Sequence, residues 1–424
     1  MKIARNTTYL CGHFISDNWR VLASQAERQG WEQTTADSAA LSINKNYYYG
    51  EFVDFLHNPD KESVSTRCHT KSVYPDHMVI FSKKVGKDAT ITLRDGSTTT
   101  VAVDNLQLWI APFGIVIFSI SIQMAECDYS ETAEALQLMR DICHYNHDKI
   151  GDFIDMAITP VYNLIDTEAE GTAHYQRLTH NGNKLKIFQI IETDSPLPPS
   201  DDTRRMIYNI GCLMPLEEGA SGDDSYYNRV METGHISIFS DWSALALFDT
   251  FTMLSSPLPD FRRKIWIDDY FGMIYIYMLY RQSFLYHYNS LFRAKGCDIK
   301  QLEADILLFE RRYCFDRFSY NFLPTEIGRA IDRSLELKES TDFLHSMVTQ
   351  AGAVYEKESD DKMNRVLTLL AIITICSTIW DLFSMLNAAF AFRDEMTGFR
   401  IGIYLLILTF LIIYLVMHSR RRKR

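Results

Sequence analysis

The sequence lacks the short motifs that mark the commonest enzyme and cofactor sites. It contains no Gly-x-Gly-x-x-Gly, no Walker A loop, no Gly-x-Ser-x-Gly and no His-Glu-x-x-His, so nothing in it supports a catalytic assignment. Its eight cysteines never stand in a Cys-x-x-Cys spacing, which indicates reduced thiols in the cytosol. We therefore expect that the protein is not an enzyme.

The chain also lacks an excess of positive charge and an N-terminal apolar run. Lys and Arg total 43 against 54 Asp and Glu, which gives a formal net charge of -11. Direct DNA or RNA binding is not expected, because it depends on cationic side chains that neutralise phosphates. The first 20 residues contain no apolar segment of signal-peptide length, so we expect no cleaved secretory signal.

Two long apolar runs lie in tandem near the C-terminus. Residues 366–385 carry one charge, Asp381, and residues 401–417 carry none. A helix of about 20 apolar residues spans the hydrocarbon core of a bilayer. One such run could be a buried core helix, but two in tandem followed by a basic tail predict two transmembrane helices.

The five basic residues 420–424 predict a cytoplasmic C-terminus by the positive-inside rule. Two spans return the N-terminal domain to the same side, so we expect a multi-pass protein of the cell inner membrane with both termini in the cytoplasm. The predicted parts are an α+β cytoplasmic domain with an antiparallel or mixed sheet and flanking helices (1–297), a helical stalk (298–365), a first span (366–385), an outer loop (386–400), a second span (401–418) and a basic cytoplasmic tail (419–424).

Five polar residues of the first span recur at steps of three and four, which places them on one helical face. They are Thr374, Ser377, Thr378, Asp381 and Ser384. The second span has almost no polar face, so the first spans could line a path that the second spans surround. Two helices per chain cannot enclose a pore, so a pore requires a homo-oligomer. Alternatively, the hydroxyls bond their own backbone carbonyls four residues earlier, and Asp381 reaches interfacial water.

Apolar residues at steps of three and four after Pro324 predict a stalk helix that packs along a seam and continues into the membrane, interrupted only at Gly352. Residues 356–362 then turn polar on every side. In an oligomer they would form an acidic collar that concentrates cations at a pore mouth, with Glu358 and Asp361 as candidate metal-binding residues. The alternative is a solvated neck.

The cytoplasmic domain contains signals for both strands and helices. A meander over 77–124 is predicted to turn at 85–88, at Asp95-Gly96 and at 112–114. Helices are predicted at 128–146, 151–165, 263–293 and 298–322, a hairpin at 180–183, and strands at 206–214, 236–239 and 244–248. Arg204 and Arg205 at the start of the strand at 206–214 are candidate ligand-binding residues, because paired arginines bind phosphate bidentately. A salt bridge to Asp201 or Asp202 is the alternative.

The stretch from Met363 to Thr374, Met-Asn-Arg-Val-Leu-Thr-Leu-Leu-Ala-Ile-Ile-Thr, resembles the stalk-to-membrane junction of CorA-type two-helix channels. The resemblance covers about 325–424 and is architectural over the rest. It implies a homopentamer with a cytoplasmic α/β domain, a long stalk helix, a pore from the first span, and transport of Mg²⁺ or related divalent cations. The acidic pair Asp394 and Glu395 in the outer loop is a further point of similarity.

The chain departs from this family at the ion-selecting Tyr-Gly-Met-Asn, which follows the first span. The matching residues are Phe383-Ser384-Met385-Leu386-Asn387: Asn387 is retained, whereas Met385 replaces the glycine and Leu386 the methionine. The family's first-span proline is also absent near Cys376. Methionine lacks the backbone freedom of glycine, which puts selective Mg²⁺ uptake in doubt.

A divergent branch of the family, associated with type III CRISPR antiviral systems, is similar to this chain in its large N-terminal domain, two C-terminal spans and lost selectivity signature. It implies a cytoplasmic domain that binds a nucleotide second messenger. We therefore expect a CorA-like channel-type effector, with a Mg²⁺-type transporter and a non-conducting membrane scaffold as alternatives. The expected pore-lining residues are Thr374, Ser377, Thr378, Asp381, Ser384 and Asn387.

Overall fold

A computed structural model of the chain describes residues 3–34, 45–57, 74–124, 129–142, 147–165, 184–198, 200–214, 223–390, 402–404 and 407–409. The chain divides into two compact units, Met1–Ser346 and Met347–Arg424. The first is an α+β unit in which a nine-stranded sheet carries helices on its faces, as predicted. The second contains most of a long helix with an apolar segment.

The sheet is mixed, with the strand order β2-β3-β4-β5-β1-β6-β9-β8-β7. All neighbouring strands are antiparallel except β6 and β9, which run parallel. The strands are β1 (Ile3–Ile15), β2 (Glu32–Thr34), β3 (Val79–Thr92), β4 (Thr98–Ile110), β5 (Ile115–Met124), β6 (Lys186–Thr193), β7 (His235–Ile236), β8 (Trp242–Ala246) and β9 (Thr250–Ser255).

The helices lie before, between and after these strands. They are α1 (Trp19–Arg28), α2 (Gly50–Leu56), α3 (Tyr129–Arg140), α4 (His147–Phe153), α5 (Thr159–Tyr162), α6 (Ser200–Gly211), α7 (Asp224–Gly234), α8 (Asp260–Ile265), α9 (Ile276–Arg293), α10 (Ile299–Tyr313), α11 (Phe322–Ser334) and α12 (Leu337–Phe390). A π-helical segment at Ile154–Ile158 joins α4 to α5, and a second at Trp266–Tyr275 joins α8 to α9.

Both faces of the central strands are covered. On one face Leu10 and Ile187 pack into a core with Leu136 of α3 and Phe153 of α4. On the other face aromatic rings from the second π segment pack against the sheet. The ring pairs are Tyr9–Phe271 with centroids 3.8 Å apart, Phe188–Tyr275 at 5.1 Å and Trp242–Trp266 at 5.2 Å. The aromatic-rich helix predicted at 263–293 is confirmed, and its aromatic residues pack against this face of the sheet.

The N-terminal strand β1 lies at the centre of the sheet between β5 and β6, and sequence reasoning did not identify it. Polar and apolar residues alternate in a strand when one of its faces is exposed to water. β1 is buried on both faces over most of its length, so it lacks this pattern. Asn6 and Thr8 are both buried, and the Thr8 hydroxyl donates to Asn6 Oδ1 at 2.9 Å. Side-chain pairing of this kind makes polar residues compatible with a central strand.

The predicted turn at 85–88 is wrong, because β3 runs unbroken through it. The register against β4 shifts between Lys84 and Lys87, which is a β-bulge. Gly86, with φ of +58°, sits inside this bulge. The predicted hairpin at Asp95-Gly96 is confirmed: Gly96 N–H donates to Leu93 O, and Gly96 has φ of +87°. The break at 112–114 between β4 and β5 is also confirmed.

The predicted strand at 206–214 is wrong, since these residues belong to helix α6 and its C-terminal turn. The buried residues Thr203, Ile207 and Ile210 are spaced four and three apart, which is the helical period. Acidic residues in the first turn suit a helix N-terminus. Arg204 and Arg205 therefore lie inside a helix, not at the start of a strand.

The predicted stalk helix is interrupted in a different place from Gly352. Helices α11 and α12 are separated at Leu335–Glu336, where Glu336 has φ of +53°, whereas Gly352 lies inside α12. Along the predicted seam the apolar residues are buried as far as Val348, and Val354 is 61% exposed. The helix predicted at 298–322 ends at Tyr313.

Of the other sequence predictions, β7 and β8 match the short strands at 236–239 and 244–248 within a few residues, and α3 begins where a helix was predicted. Three predicted segments lie outside the described residues: the hairpin at 180–183, the outer loop beyond residue 390 and most of the second apolar run.

Five of the described cysteines are free thiols: Cys11, Cys212, Cys297, Cys314 and Cys376.

Two histidines make the stability of the α+β unit depend on pH. Burial, with the positive charges of His287 and Lys186, lowers the pKa of His13 to about 4, and burial lowers the pKa of His57 to about 4. As pH falls below about 6.5, the unfolded chain protonates them while the folded chain does not. We expect each to lower the free energy of unfolding by about 2 kcal/mol between pH 7 and pH 5.

Urea unfolding followed by tryptophan fluorescence at pH 7, 6 and 5 measures this loss. The variant His13→Asn/His57→Asn isolates the two histidines from groups of opposite sign, such as Asp269, whose pKa burial raises to about 6. It should lose less stability than the wild type over the same pH range. Equal losses in both proteins would contradict the assignment.

Candidate functional site

The apolar segment of α12, Asp360–Met385, is 26 residues long and has the length and composition of a membrane-spanning helix. None of its most apolar window is buried within the described residues. Leu369 is 60% exposed and Trp380 63%, so this helix is not a core helix of the α+β unit. Among the described residues it is the one helix that meets this criterion.

The polar residues predicted for this helix occupy one side of it. At 100° per residue, positions 374, 377, 378, 381 and 384 fall within an arc of about 120°, and all five side chains are exposed. Ile372, Cys376, Ile379 and Phe383 are partly covered and fall on the opposite side. At residue 402 an added Cβ would lie 3.4 Å from the Phe383 ring. Gly402 thus approaches the apolar side closely.

Two threonines of the polar face make the backbone contacts that were the alternative to pore lining. Thr374 Oγ1 donates to Leu370 O and Thr378 Oγ1 donates to Thr374 O, each at 2.9 Å. These bonds satisfy the hydroxyl protons within the helix. Each hydroxyl oxygen keeps acceptor capacity, so the contacts are compatible with a polar surface that faces water or cations.

The predicted pore-lining residue Asn387 lies in α12, but its side chain is outside what the structure describes. Since the helix continues unbroken to Phe390, position 387 lies about 120° around the axis from position 381. On a straight helix the two positions therefore do not face the same axis.

The predicted metal-binding residues Glu358 and Asp361 share helix α12 at a spacing of three. Asp361 is partly exposed, and the side chain of Glu358 is not described. Among the described residues there is no group of three or more His, Cys, Asp or Glu side chains that could hold a metal ion.

The predicted ligand-binding pair Arg204 and Arg205 is divided between two environments. Arg205 Nη2 lies 3.0 Å from Asp224 Oδ1, and its guanidinium stacks 4.1 Å from the ring centroid of Tyr227. Arg204 Nε is buried and has no hydrogen-bond partner among the described residues. Burial, together with the Arg204 charge, lowers the pKa of His235 to about 4. The alternative to ligand binding was a salt bridge to Asp201 or Asp202, but Arg205 pairs with Asp224 instead.

A cationic cavity of about 490 Å³ lies elsewhere in the α+β unit, and sequence reasoning did not find it. Its described lining includes four basic side chains, Arg94, Arg140, Lys149 and Lys184, and one acidic side chain, Asp141. They come from the β3–β4 hairpin, the end of α3, the residue after it, α4 and the chain just before β6. Sequence separations of up to 90 residues hide such a cluster from motif searches.

Behind the cavity, two cations share one carboxylate. Arg140 Nη2 lies 2.7 Å from Asp249 Oδ2, and Lys186 Nζ lies 3.4 Å from Asp249 Oδ1. Lys186 is almost fully buried, donates to Phe248 O and lies over the Phe248 ring. Burial raises the pKa of the Asp249 carboxyl, but the two cations outweigh it and hold the pKa below its usual value. Burial lowers the pKa of Lys186 to about 8.

Hydrogen bonds hold one wall of the cavity. Arg94 Nη2 donates to Gln137 Oε1 at 2.9 Å, and Gln137 Nε2 donates to Leu213 O at 2.7 Å. Leu213 has φ of +55°, a conformation that is strained for a residue with a Cβ. Its side chain is buried in the core, which holds the backbone in this conformation. Arg205 lies about 12 Å before Leu213 along α6 and its turn.

Comparison with known proteins does not add a family: no protein-family model and no curated protein matches this chain.

The Asp249 carboxylate is about half exposed, but both of its cationic partners are buried. Asp249→Asn should therefore lower the free energy of unfolding by about 2 kcal/mol, because Lys186 and Arg140 lose their counter-charge and solvent screens part of the effect. Adding Lys186→Met should recover part of this loss. Asp241→Asn is the matched control: its ion pair with Arg262 is exposed and should contribute under about 1 kcal/mol. Denaturant unfolding of the three variants at pH 7 measures the difference. A loss in Asp249→Asn no larger than that in the control would refute a structural ion triad.

Proposed function

We propose that the chain is a homo-oligomeric, CorA-like membrane channel, with five subunits as the resemblance implies. Its α+β unit binds a ligand and gates a pore lined by the first span. The ligand that the resemblance suggests is a nucleotide second messenger of type III CRISPR antiviral defence. The protein would then act as an effector at the cell inner membrane, with the lipid bilayer as its principal partner.

The observation that carries this proposal is the exposure of the apolar helix. At 1.5 Å per residue, 26 residues extend about 39 Å, which exceeds the roughly 30 Å hydrocarbon core of a bilayer. Contiguous exposed apolar surface of this size is unfavourable in water and marks an interaction with membrane or protein. A lipid environment accounts for the exposed leucines and isoleucines on every side but the polar one.

The polar side supports an oligomeric pore over a lipid-facing anchor. The apolar side, which holds Phe383, is the one that residue 402 approaches, so the opposite side is left for other subunits or water. Asp381 is the charged residue on that side. An ionisable residue within a span is costly in lipid and generally faces a bundle interior or an aqueous path.

A divalent-cation transporter is the second candidate. It is favoured by Asn387, which the resemblance aligns with the family's selecting asparagine, and by the acidic positions Glu356, Glu358, Asp360 and Asp361. Its cofactor would be Mg²⁺ or another divalent cation carried as cargo. In this reading the α+β unit senses cytoplasmic cation, and no nucleotide is needed.

The membrane topology can be tested by cysteine labelling in intact cells. A Thr397→Cys reporter in the predicted outer loop should react with a membrane-impermeant maleimide. Adding Leu370→Lys/Ile373→Lys should abolish labelling, because each lysine costs about 3 kcal/mol at the centre of a span. Val21→Lys/Leu307→Lys replaces equally exposed apolar residues of the α+β unit and should leave labelling unchanged. Unlabelled Thr397→Cys, or equal labelling in all three, would exclude this topology.

Gating can be tested by ion flux through the purified full chain in liposomes. The effector proposal predicts little flux until a nucleotide messenger is added; constitutive Mg²⁺ flux that is closed by raised Mg²⁺ on the cytoplasmic side would instead support the transporter. Asp381→Ala should lower cation flux roughly tenfold, because a ring of carboxylates concentrates cations. Asn387→Ala should also change conductance.

The control is Asp342→Ala, which removes a carboxylate from the same helix before the apolar segment. It should conduct like the wild type. A protein that shows no flux under any of these conditions, or whose flux ignores both span substitutions, would be a scaffold and not a channel.

A further inference from the structure

We propose that the cationic cavity of the α+β unit binds a soluble small molecule that carries phosphate groups, nucleotides included. This cavity would be the ligand site of the proposed channel, and its role in gating rests on that proposed function. Binding itself can be measured without any flux.

The first argument is charge. The described lining has four basic residues and one acidic residue, although the chain as a whole is acidic. Lys149 and Lys184 form no ion pair within the described part of the chain, and the pair of Arg94 with Glu134 is long, at 3.9 Å. Like charges gathered in one concave site repel one another and create a positive potential that favours an anion.

The cationic side chains of the cavity do not pair with free carbonyl groups at the ends of helices. Arg140 and Leu213 lie at the C-terminal ends of α3 and of the α6 turn, where basic side chains often neutralise free carbonyls. Here the carbonyls already have donors. Arg140 O accepts from Leu185 N, and Gly211 O accepts from the Thr250 hydroxyl. Leu213 O accepts from Gln137 Nε2. The two lysines, which form no ion pair within the described part of the chain, therefore remain available to a ligand, whereas Arg94 and Arg140 already have partners.

The third argument is a buried donor without an acceptor. The Arg140 side chain is 11% exposed, and its Nη2 is engaged by Asp249. Its Nε is buried and has no hydrogen-bond partner among the described residues. Buried guanidinium donors are normally satisfied, and a phosphate oxygen is an acceptor that suits this remaining N–H.

Size and shape limit the class of ligand. A cavity of about 490 Å³ falls within the range that holds drug-sized ligands, which suits a mononucleotide or a phosphorylated metabolite. Leu138, Cys212 and Leu213 provide a smaller non-charged surface beside the cations. The wall formed by Arg94, Gln137 and Leu213 is already connected by hydrogen bonds, so little ordering is required on binding.

The test is calorimetric titration of the detergent-purified full chain with ATP, AMP, inorganic phosphate and adenosine. ATP should bind most tightly and adenosine should not bind. Affinity for ATP should fall as salt rises, because exposed charges are screened. Failure of all three phosphorylated probes to bind would overturn the proposal, and so would adenosine binding as tightly as ATP.

Lys149→Gln/Lys184→Gln should weaken ATP binding at least about tenfold, since each lost charge-assisted hydrogen bond accounts for roughly that factor. Lys184 is exposed and Lys149 half-buried, and neither forms an ion pair within the described residues, so the variant should fold. Lys295→Gln/Lys300→Gln removes the same charge from exposed positions elsewhere and should stay within about twofold of the wild type. Equal weakening in both variants would reduce the effect to net charge and overturn the site.

Arg205→Gln tests the sequence-based ligand candidate in the same titration. We expect unchanged affinity, because Arg205 is not among the lining residues. A loss confined to Arg205→Gln would move the site to α6 and overturn the cavity assignment. Specific ATP binding without any flux would support the cavity as a ligand site and contradict the channel function. Nucleotide-gated flux that persists in Lys149→Gln/Lys184→Gln would support the channel function and contradict the cavity as its ligand site.

Discussion

The α+β unit is organised by the burial of strand β6 on both faces. All eight of its residues are buried, so each face has to be covered by a helical layer. Polar contacts anchor both ends of the strand. At its end, Glu192 accepts two bonds from Arg263, at 2.6 and 2.8 Å, which positions helix α8. At its start, the buried Lys186 and Arg140 both pair with the half-exposed Asp249. This ion triad is structural, because removing the carboxylate leaves two buried cations without a counter-charge.

The same anchor links the core to the candidate ligand site. Arg140 belongs both to the ion triad around Asp249, at the start of β6, and to the cavity lining. Rings of the second π segment pack against Phe188 of that strand. The π segment continues into α9, which carries Arg281, and Arg281 pairs with Asp332 of α11 at 2.8 Å. Two residues, Leu335 and the left-handed Glu336, separate the end of α11 from the start of α12.

Local signals in the sequence predicted much of the fold. The Asp95-Gly96 hairpin, the break at 112–114, the aromatic helix at 263–293 and the apolar helix after residue 360 are all present. The predictions were wrong where a local sequence pattern is compatible with two backbone structures. Gly86 suits a turn or a bulge, because both use positive φ, and the pairing of β3 with β4 selected the bulge. The apolar residues at 206–214 suit a strand or an amphipathic helix, and packing of Ile207 and Ile210 selected the helix. β1 was missed because two-sided burial removes alternation.

The candidate site shows the same division. The amino-acid sequence by itself determined that one segment is too apolar to be exposed to water, and that its polar residues share one side, since helical geometry repeats every 3.6 residues. It also contained the charges of the cavity, but as unrelated residues at 94, 140, 149 and 184. Only the tertiary structure decided that these four meet, because strand pairing and two-sided packing bring together segments that are distant along the chain. It likewise directed Arg205 to Asp224 and Tyr227, a choice that no local pattern could make.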